Sequence, residues 1–112
     1  MENSFMKSIF FGLIREELVF PYPSISREVS ESTKMILDSI QKFSNEHVNS
    51  KEWDEKGEMP KEIIRHMAEM GMMGLAVPET WGGLGLPQSA YARVMQEVAG
   101  IDGSLAVTLG AH

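Results

Sequence analysis

Residues 74–87 read GLAVPETWGGLGLP, and this stretch limits more than any other how the chain can fold. Pro78, Gly82, Gly83, Gly85 and Pro87 lie close together in it. A proline inside a helix removes a backbone donor and clashes with the turn before it. Glycine loses more chain entropy than any other residue when ordered, and it is the residue that takes up positive φ. The stretch therefore demands an irregular loop with tight turns.

Both flanks have helical spacing. Downstream, Tyr91, Val94, Met95 and Val98 share one face of a helix over about 88–99, which Gly100 is expected to end. Asp102 is placed to N-cap a following helix that meets no stop signal before His112. Upstream, Pro60 suits the first turn of a helix whose inner face is Ile63, Ile64 and Met67, with Gly71 as its C-terminal stop. A longer helix is expected from Ser26 to Val48. Its buried face is Val29, Thr33, Ile36, Leu37, Ile40 and Phe43, and Glu28, Glu31, Lys34, Asp38 and Lys42 form its wet face. Between them NSKEWDEKGEM, residues 49–59, is polar, contains Gly57 and reads as a loop. Near the N-terminus Met6, Ile9, Phe10, Leu13 and Ile14 make one helical stripe over residues 4–14, with Ser4 as cap. Pro21 and Pro23 in VFPYPS break that pattern. No segment of useful length alternates with period two. The expected fold is all-α, with about five helices and the last one cut short.

Composition removes several function classes. The chain has 112 residues, enough for one domain, and a net charge of −6 with no basic stripe to neutralise phosphates. It has no cysteine, so it can form no disulfide, no thiolate zinc site and no thiol nucleophile. No apolar run approaches the ~20 residues that span a bilayer. The first twenty residues mix Lys7 and Arg15 with Glu16 and Glu17, which suits neither a secretory signal nor a transit peptide. As written, the chain is expected to stay where it is made.

Candidate chemistry is sparse. His47, His66 and His112 are the histidines, and metal sites usually need three or four converging ligands. His66 has Glu62 four residues before it and Glu69 three after, a spacing open to an acid–base or metal pair and more ordinarily a solvated helix face. WGGLGL invites a phosphate-loop reading but lacks both the lysine and the spacing of such loops, so it reads as a structural turn. KSIFFGLI could lie on a membrane surface, yet only Lys7 and Arg15 supply its cationic face, and packing on protein suits it better. Met67, Met70, Met72 and Met73 suit a core or an inter-domain contact. The residues alone offer no metal site, no nucleophile–base pair and no phosphate cradle.

At GMMGLAVPETWGGLGL, residues 71–86, and again at YARVMQEVAGIDGSLAVTLGAH, residues 91–112, the sequence resembles the N-terminal helical domain of the acyl-CoA dehydrogenases. VFPYPS with the segment before it, and the TLGAH ending, look most like the very-long-chain branch of that family. The resemblance divides the chain into residues 1–25, a helix with a proline-rich connection, and residues 26–112, the family domain. It implies that a middle β domain and a C-terminal helical bundle follow, so that the last helix would continue. It also implies FAD-dependent α,β-dehydrogenation of fatty acyl-CoA in β-oxidation, with selection toward long acyl chains and electron-transferring flavoprotein as acceptor.

The family's catalytic glutamate comes from the C-terminal bundle, and most FAD contacts come from the middle and C-terminal domains. Glu58, Glu79 and Glu97 do not occupy the catalytic motif, so no catalytic, cofactor-binding or metal residue is carried onto this chain. What carries over is one wall of the acyl channel: Leu105, Ala106, Leu109 and Gly110. The piece alone is expected to be inactive and to bind no FAD. The parent is expected to form a homo-oligomer and to work in a bacterial cytoplasm, or alternatively the mitochondrial matrix. A non-catalytic interaction or assembly module derived from the same family is the alternative function.

Overall fold

The computed structural model describes residues 3–112. Its α-helices are α1 (Phe5–Phe10), α2 (Arg27–His47), α3 (Ser50–Lys56), α4 (Lys61–Glu69), α5 (Gln88–Ile101) and α6 (Gly103–Ala111), and there is no strand among the described residues. Short 3-10 turns lie at Glu16–Leu18, Met72–Gly74 and Glu79–Trp81. No helix in the described region is long and apolar enough to cross a membrane.

Helix α2 begins where the Ser26 hydroxyl accepts a hydrogen bond from the Val29 amide at 3.2 Å. Its stripe turns inward: Thr33, Ile40 and Phe43 are buried, and Val29, Ile36 and Leu37 are partly buried against the core. Thr33 satisfies its hydroxyl by donating to the Val29 carbonyl at 2.7 Å. The most extensive helix contacts are those of α5 with α6 and with α2. Val94, with no exposed surface, sits in this packing beside Ala90, Val98 and Leu105. Each fully buried Val or Leu contributes roughly 1.5–3 kcal/mol relative to exposure.

Four features differ from the sequence expectation. Residues 49–59 contain α3 instead of a continuous loop. The Asn49 side chain accepts from the Glu52 amide at 3.1 Å, Lys56 pairs with Glu52, and Trp53 is buried in the core. A single buried tryptophan creates no periodicity, so the pattern did not show it. Helix α5 runs through Gly100 to Ile101, because Ile101 still packs on the core and Asp102 supplies the break with an extended backbone. On α4, Ile63 and Met67 are buried but Ile64 faces outward.

The fourth difference is α1, which stops at Phe10 instead of residue 14. Gly12 adopts φ +74°, the Leu13 amide donates to the Ser8 carbonyl, and the Gly12 amide donates to the Ile9 carbonyl. This is a Schellman stop, which closes the helix through a left-handed residue. The stripe expected to be buried, Met6, Ile9, Phe10, Leu13 and Ile14, is exposed throughout.

Candidate functional site

The loop read as irregular from its prolines and glycines folds back on itself. The Leu84 amide donates to Gly74 O at 2.9 Å, Gly85 to Val77 O at 2.8 Å and Leu86 to Leu75 O at 2.9 Å. Gly82 and Gly83 donate to the carbonyls of Glu79 and Pro78. A Cβ at Gly83 would collide with the Val77 carbonyl and side chain, so only glycine permits this approach. All five amides from Gly82 to Leu86 are thus spent inside the loop. None is left to cradle a phosphate, which agrees with reading WGGLGL as a structural turn.

The pinned loop forms one side of a groove of about 600 Å³. Met73, Leu75 and Val77 line it from the loop, Gln88 and Tyr91 from the start of α5, and Leu109, Gly110 and His112 from the end of α6. Asp102 sets the angle of α6. Its Oδ1 accepts from the amides of Ser104 (2.8 Å) and Leu105 (3.1 Å), and its Oδ2 accepts from the Ser50 hydroxyl of α3. One residue therefore caps α6 and ties the α5–α6 corner to α3.

The four channel-wall residues separate. Leu109 and Gly110 line the groove. Leu105 is only 2% exposed and points to the interior beside Ile40, Phe43 and Met67. Ala106 is half-buried against the core. Gly110 is exposed, and the nearest atom to a Cβ there is the Met95 methyl at 3.7 Å. The sequence reading did not find the loop side of the groove, Met73 to Val77. Nothing local brings those residues to Leu109; the turn of α6 back along α5 does.

The groove contains no lysine or arginine. A flavin dinucleotide carries a pyrophosphate that needs cations or free amides. With the loop amides engaged, this groove offers nothing to hold that group. A mainly apolar trough without Lys, Arg, Asp or Glu can instead take a hydrocarbon.

The histidines lie elsewhere. His47, at the end of α2, and His66, on α4, have ring centroids 4.8 Å apart, and Phe43 lies edge-on to His66. His66 Nδ1 is buried with no hydrogen-bond partner, and His47 lies 3.8 Å from Glu46. The sequence spacing offered Glu62 and Glu69 to His66, whereas its ring contacts are aromatic. Among the described residues no three side chains of metal-ligating type converge. On the arm before α2, Arg15 donates to Glu17 and holds its carboxyl below the ordinary range, far from the groove in sequence.

Residues 30–112 match the family model described as acyl-CoA dehydrogenase, N-terminal domain. The chain is 36% identical over 112 residues to the mitochondrial very long-chain specific acyl-CoA dehydrogenase of Macaca fascicularis, covering 98% of this chain and 17% of that protein. The enzyme of the same name from Homo sapiens is 35% identical, again over 98% of this chain and 17% of its own length. The probable acyl-CoA dehydrogenase FadE10 of Mycobacterium tuberculosis (strain ATCC 25618 / H37Rv) is 32% identical over 97% of this chain and 17% of its length. The chain thus spans about a sixth of the length of the curated relatives it matches. It belongs to the acyl-CoA dehydrogenase family, as an all-helical counterpart of that family's N-terminal domain.

Proposed function

We propose that residues 26–112, preceded by a separate segment 1–25, are the N-terminal helical domain of an FAD-dependent acyl-CoA dehydrogenase. In this reading the enzyme introduces an α,β double bond into long-chain fatty acyl-CoA in β-oxidation, and this chain supplies part of the wall that holds the acyl tail. The supporting observation is the mainly apolar groove, without Lys, Arg, Asp or Glu, between the pinned loop and the end of α6. An acyl tail makes no hydrogen bonds, and each methylene it buries contributes roughly 0.8 kcal/mol. Gly110 adds no side chain to the groove, and Ala106, one turn before it on α6 and half-buried against the core, is the small residue to which this reading extends the wall. Leu109 supplies apolar contact, and Leu105 supports α6 from behind.

The catalytic base and the flavin site belong to segments outside this chain, so the 112 residues alone are inactive and colourless. Electron-transferring flavoprotein is the acceptor of the whole enzyme, which is a homo-oligomer. Its setting is a bacterial cytoplasm, with the mitochondrial matrix as the second choice; the named relatives are mitochondrial and mycobacterial.

A domain graft tests this. Residues 26–112 replace the matching segment of the human very long-chain enzyme, and dehydrogenation is measured with palmitoyl-CoA and octanoyl-CoA. The graft is expected to favour palmitoyl-CoA, and Ala106→Gln in the graft to move preference toward octanoyl-CoA by about tenfold, the effect of losing two methylene contacts. A folded, flavin-loaded graft whose chain-length profile ignores Ala106→Gln removes the channel-wall role.

A further inference from the structure

The helical body of the molecule, residues 27–112, carries two histidines that take no part in the groove. His47 is the last residue of α2, and His66 lies in the last turn of α4. Buried Phe43 packs against both rings, with centroids 5.4 Å from His47 and 6.2 Å from His66. The two imidazoles are held side by side, 4.8 Å between centroids and tilted by 53°.

That spacing suits a shared metal ion. An ion about 2.0–2.1 Å from one nitrogen of each ring lies about 3.2 Å from each centroid, so rings meeting at about 90–109° have centroids about 4.5–5.2 Å apart. The nitrogens are also uncommitted. His66 Nδ1 is buried and has no hydrogen-bond partner. His47 Nε2 is 3.8 Å from Glu46 Oε2, beyond hydrogen-bond reach. Glu46 thus stands near enough to orient the imidazole through one nitrogen while the other ligates. The His47 side chain is 40% exposed, so an ion can enter from solvent.

Charge favours a cation there. The pocket around the pair, about 330 Å³, has Lys42, Glu46 and Glu69 as its charged lining, two carboxylates against one ammonium. Each helix places its histidine in its last turn, where the free carbonyls add negative potential. Imidazole ligands select late first-row divalent ions, Cu²⁺ above Ni²⁺ and Zn²⁺, over Mg²⁺ and Ca²⁺. We propose that His47 and His66 are the two protein ligands of a transition-metal site, filled best by Cu²⁺, that ties the end of α2 to the end of α4. Among the described residues no third side chain of ligating type converges on the pair, so water takes the remaining positions. The site does not depend on the acyl-groove reading.

Calorimetric titration of the 112-residue chain with Cu²⁺, Zn²⁺ and Mg²⁺ tests it. One Cu²⁺ per chain is expected, with Zn²⁺ weaker and Mg²⁺ undetected. The electron paramagnetic resonance spectrum of the Cu²⁺ form should show coupling to two imidazole nitrogens. His47→Gln and His66→Phe should each weaken Cu²⁺ binding about a hundredfold, no less than the loss of an orienting partner does. Each should also abolish the rise in melting midpoint that Cu²⁺ gives at about a hundredfold excess over its dissociation constant. His47 is exposed, so His47→Gln keeps the test open should His66→Phe fail to fold. His112 lines the groove instead, and His112→Gln should bind as wild type does. A chain that takes up no Cu²⁺, a Mg²⁺ affinity equal to that for Cu²⁺, coupling to a single nitrogen, or binding that survives His47→Gln overturns the inference. So does loss of binding in His112→Gln or on acetylation of the N-terminal amine, since either puts the ion elsewhere.

Discussion

Helices α1 and α2 both carry apolar residues at helical spacing, yet α2 buries its stripe and α1 displays its own. The difference lies in what each faces. The stripe of α2 lies along α5, and its 21 residues give it almost six turns over which to pack. Helix α1 has six residues, far below the about 12–15 at which an isolated helix becomes even marginal, and it takes part in none of the extensive helix pairings. It is held by its ends: the Ser4 hydroxyl accepts from the Lys7 amide at 3.3 Å, and Gly12 closes the other end. An amphipathic pattern states that a face is ready to be buried. It does not state that this chain provides the cover.

Gly83→Val tests the body most severely. The new side chain would meet the Val77 carbonyl, which is itself bonded to the Gly85 amide, so nothing flexible can give way. The expected cost exceeds about 4 kcal/mol, in the range reserved for drastic packing or backbone conflicts. Circular dichroism should show a chain largely unfolded at room temperature. A cooperative melt near the wild-type midpoint would mean that the loop is no part of the body's cooperative unit.

Leu105→Ala removes core volume without touching the backbone. Leu105 is almost wholly buried where α6 meets α2 and α4. Such truncations cost about 2–5 kcal/mol, depending on how far the site collapses. Urea denaturation should report that loss with an unchanged m-value. A loss below about 1 kcal/mol would put Leu105 on a yielding surface and blur the line between body and arm.

Much of the body was legible in the sequence because its signals are redundant. Helix α2 has a cap, a stripe and a charged opposite face that agree with one another, and Asp102 caps α6 as its position implied. The glycines and prolines of residues 74–87 marked the loop for the reason the structure uses them. Three features were hidden. Helix α3 rests on one buried tryptophan and one asparagine cap, too little to form a period. The outward turn of the α1 stripe depends on what is absent from its surroundings. The groove joins residues 73–78 to 109–112, and only the corner at Asp102 brings those stretches together. The motif sequence 71–86 revealed the family without revealing that corner.

Gly12→Ala probes the arm from within and has the smallest expected effect. Nothing lies within 4 Å of where the new methyl would sit, so no packing is disturbed. The backbone, however, holds φ at +74°, which an alanine takes up at a cost of roughly 1 kcal/mol. That cost falls on the Schellman closure, where the Leu13 amide donates to the Ser8 carbonyl. If arm and body open separately, as stability that varies across a structure allows, Leu13 exchanges its amide proton about fivefold faster in the variant. Amides of α5 then exchange at the wild-type rate, and the melting midpoint holds. A midpoint that fell as it does for Leu105→Ala would join α1 to the cooperative body, and the contrast between a displayed stripe and a buried one would no longer reflect two independently held regions.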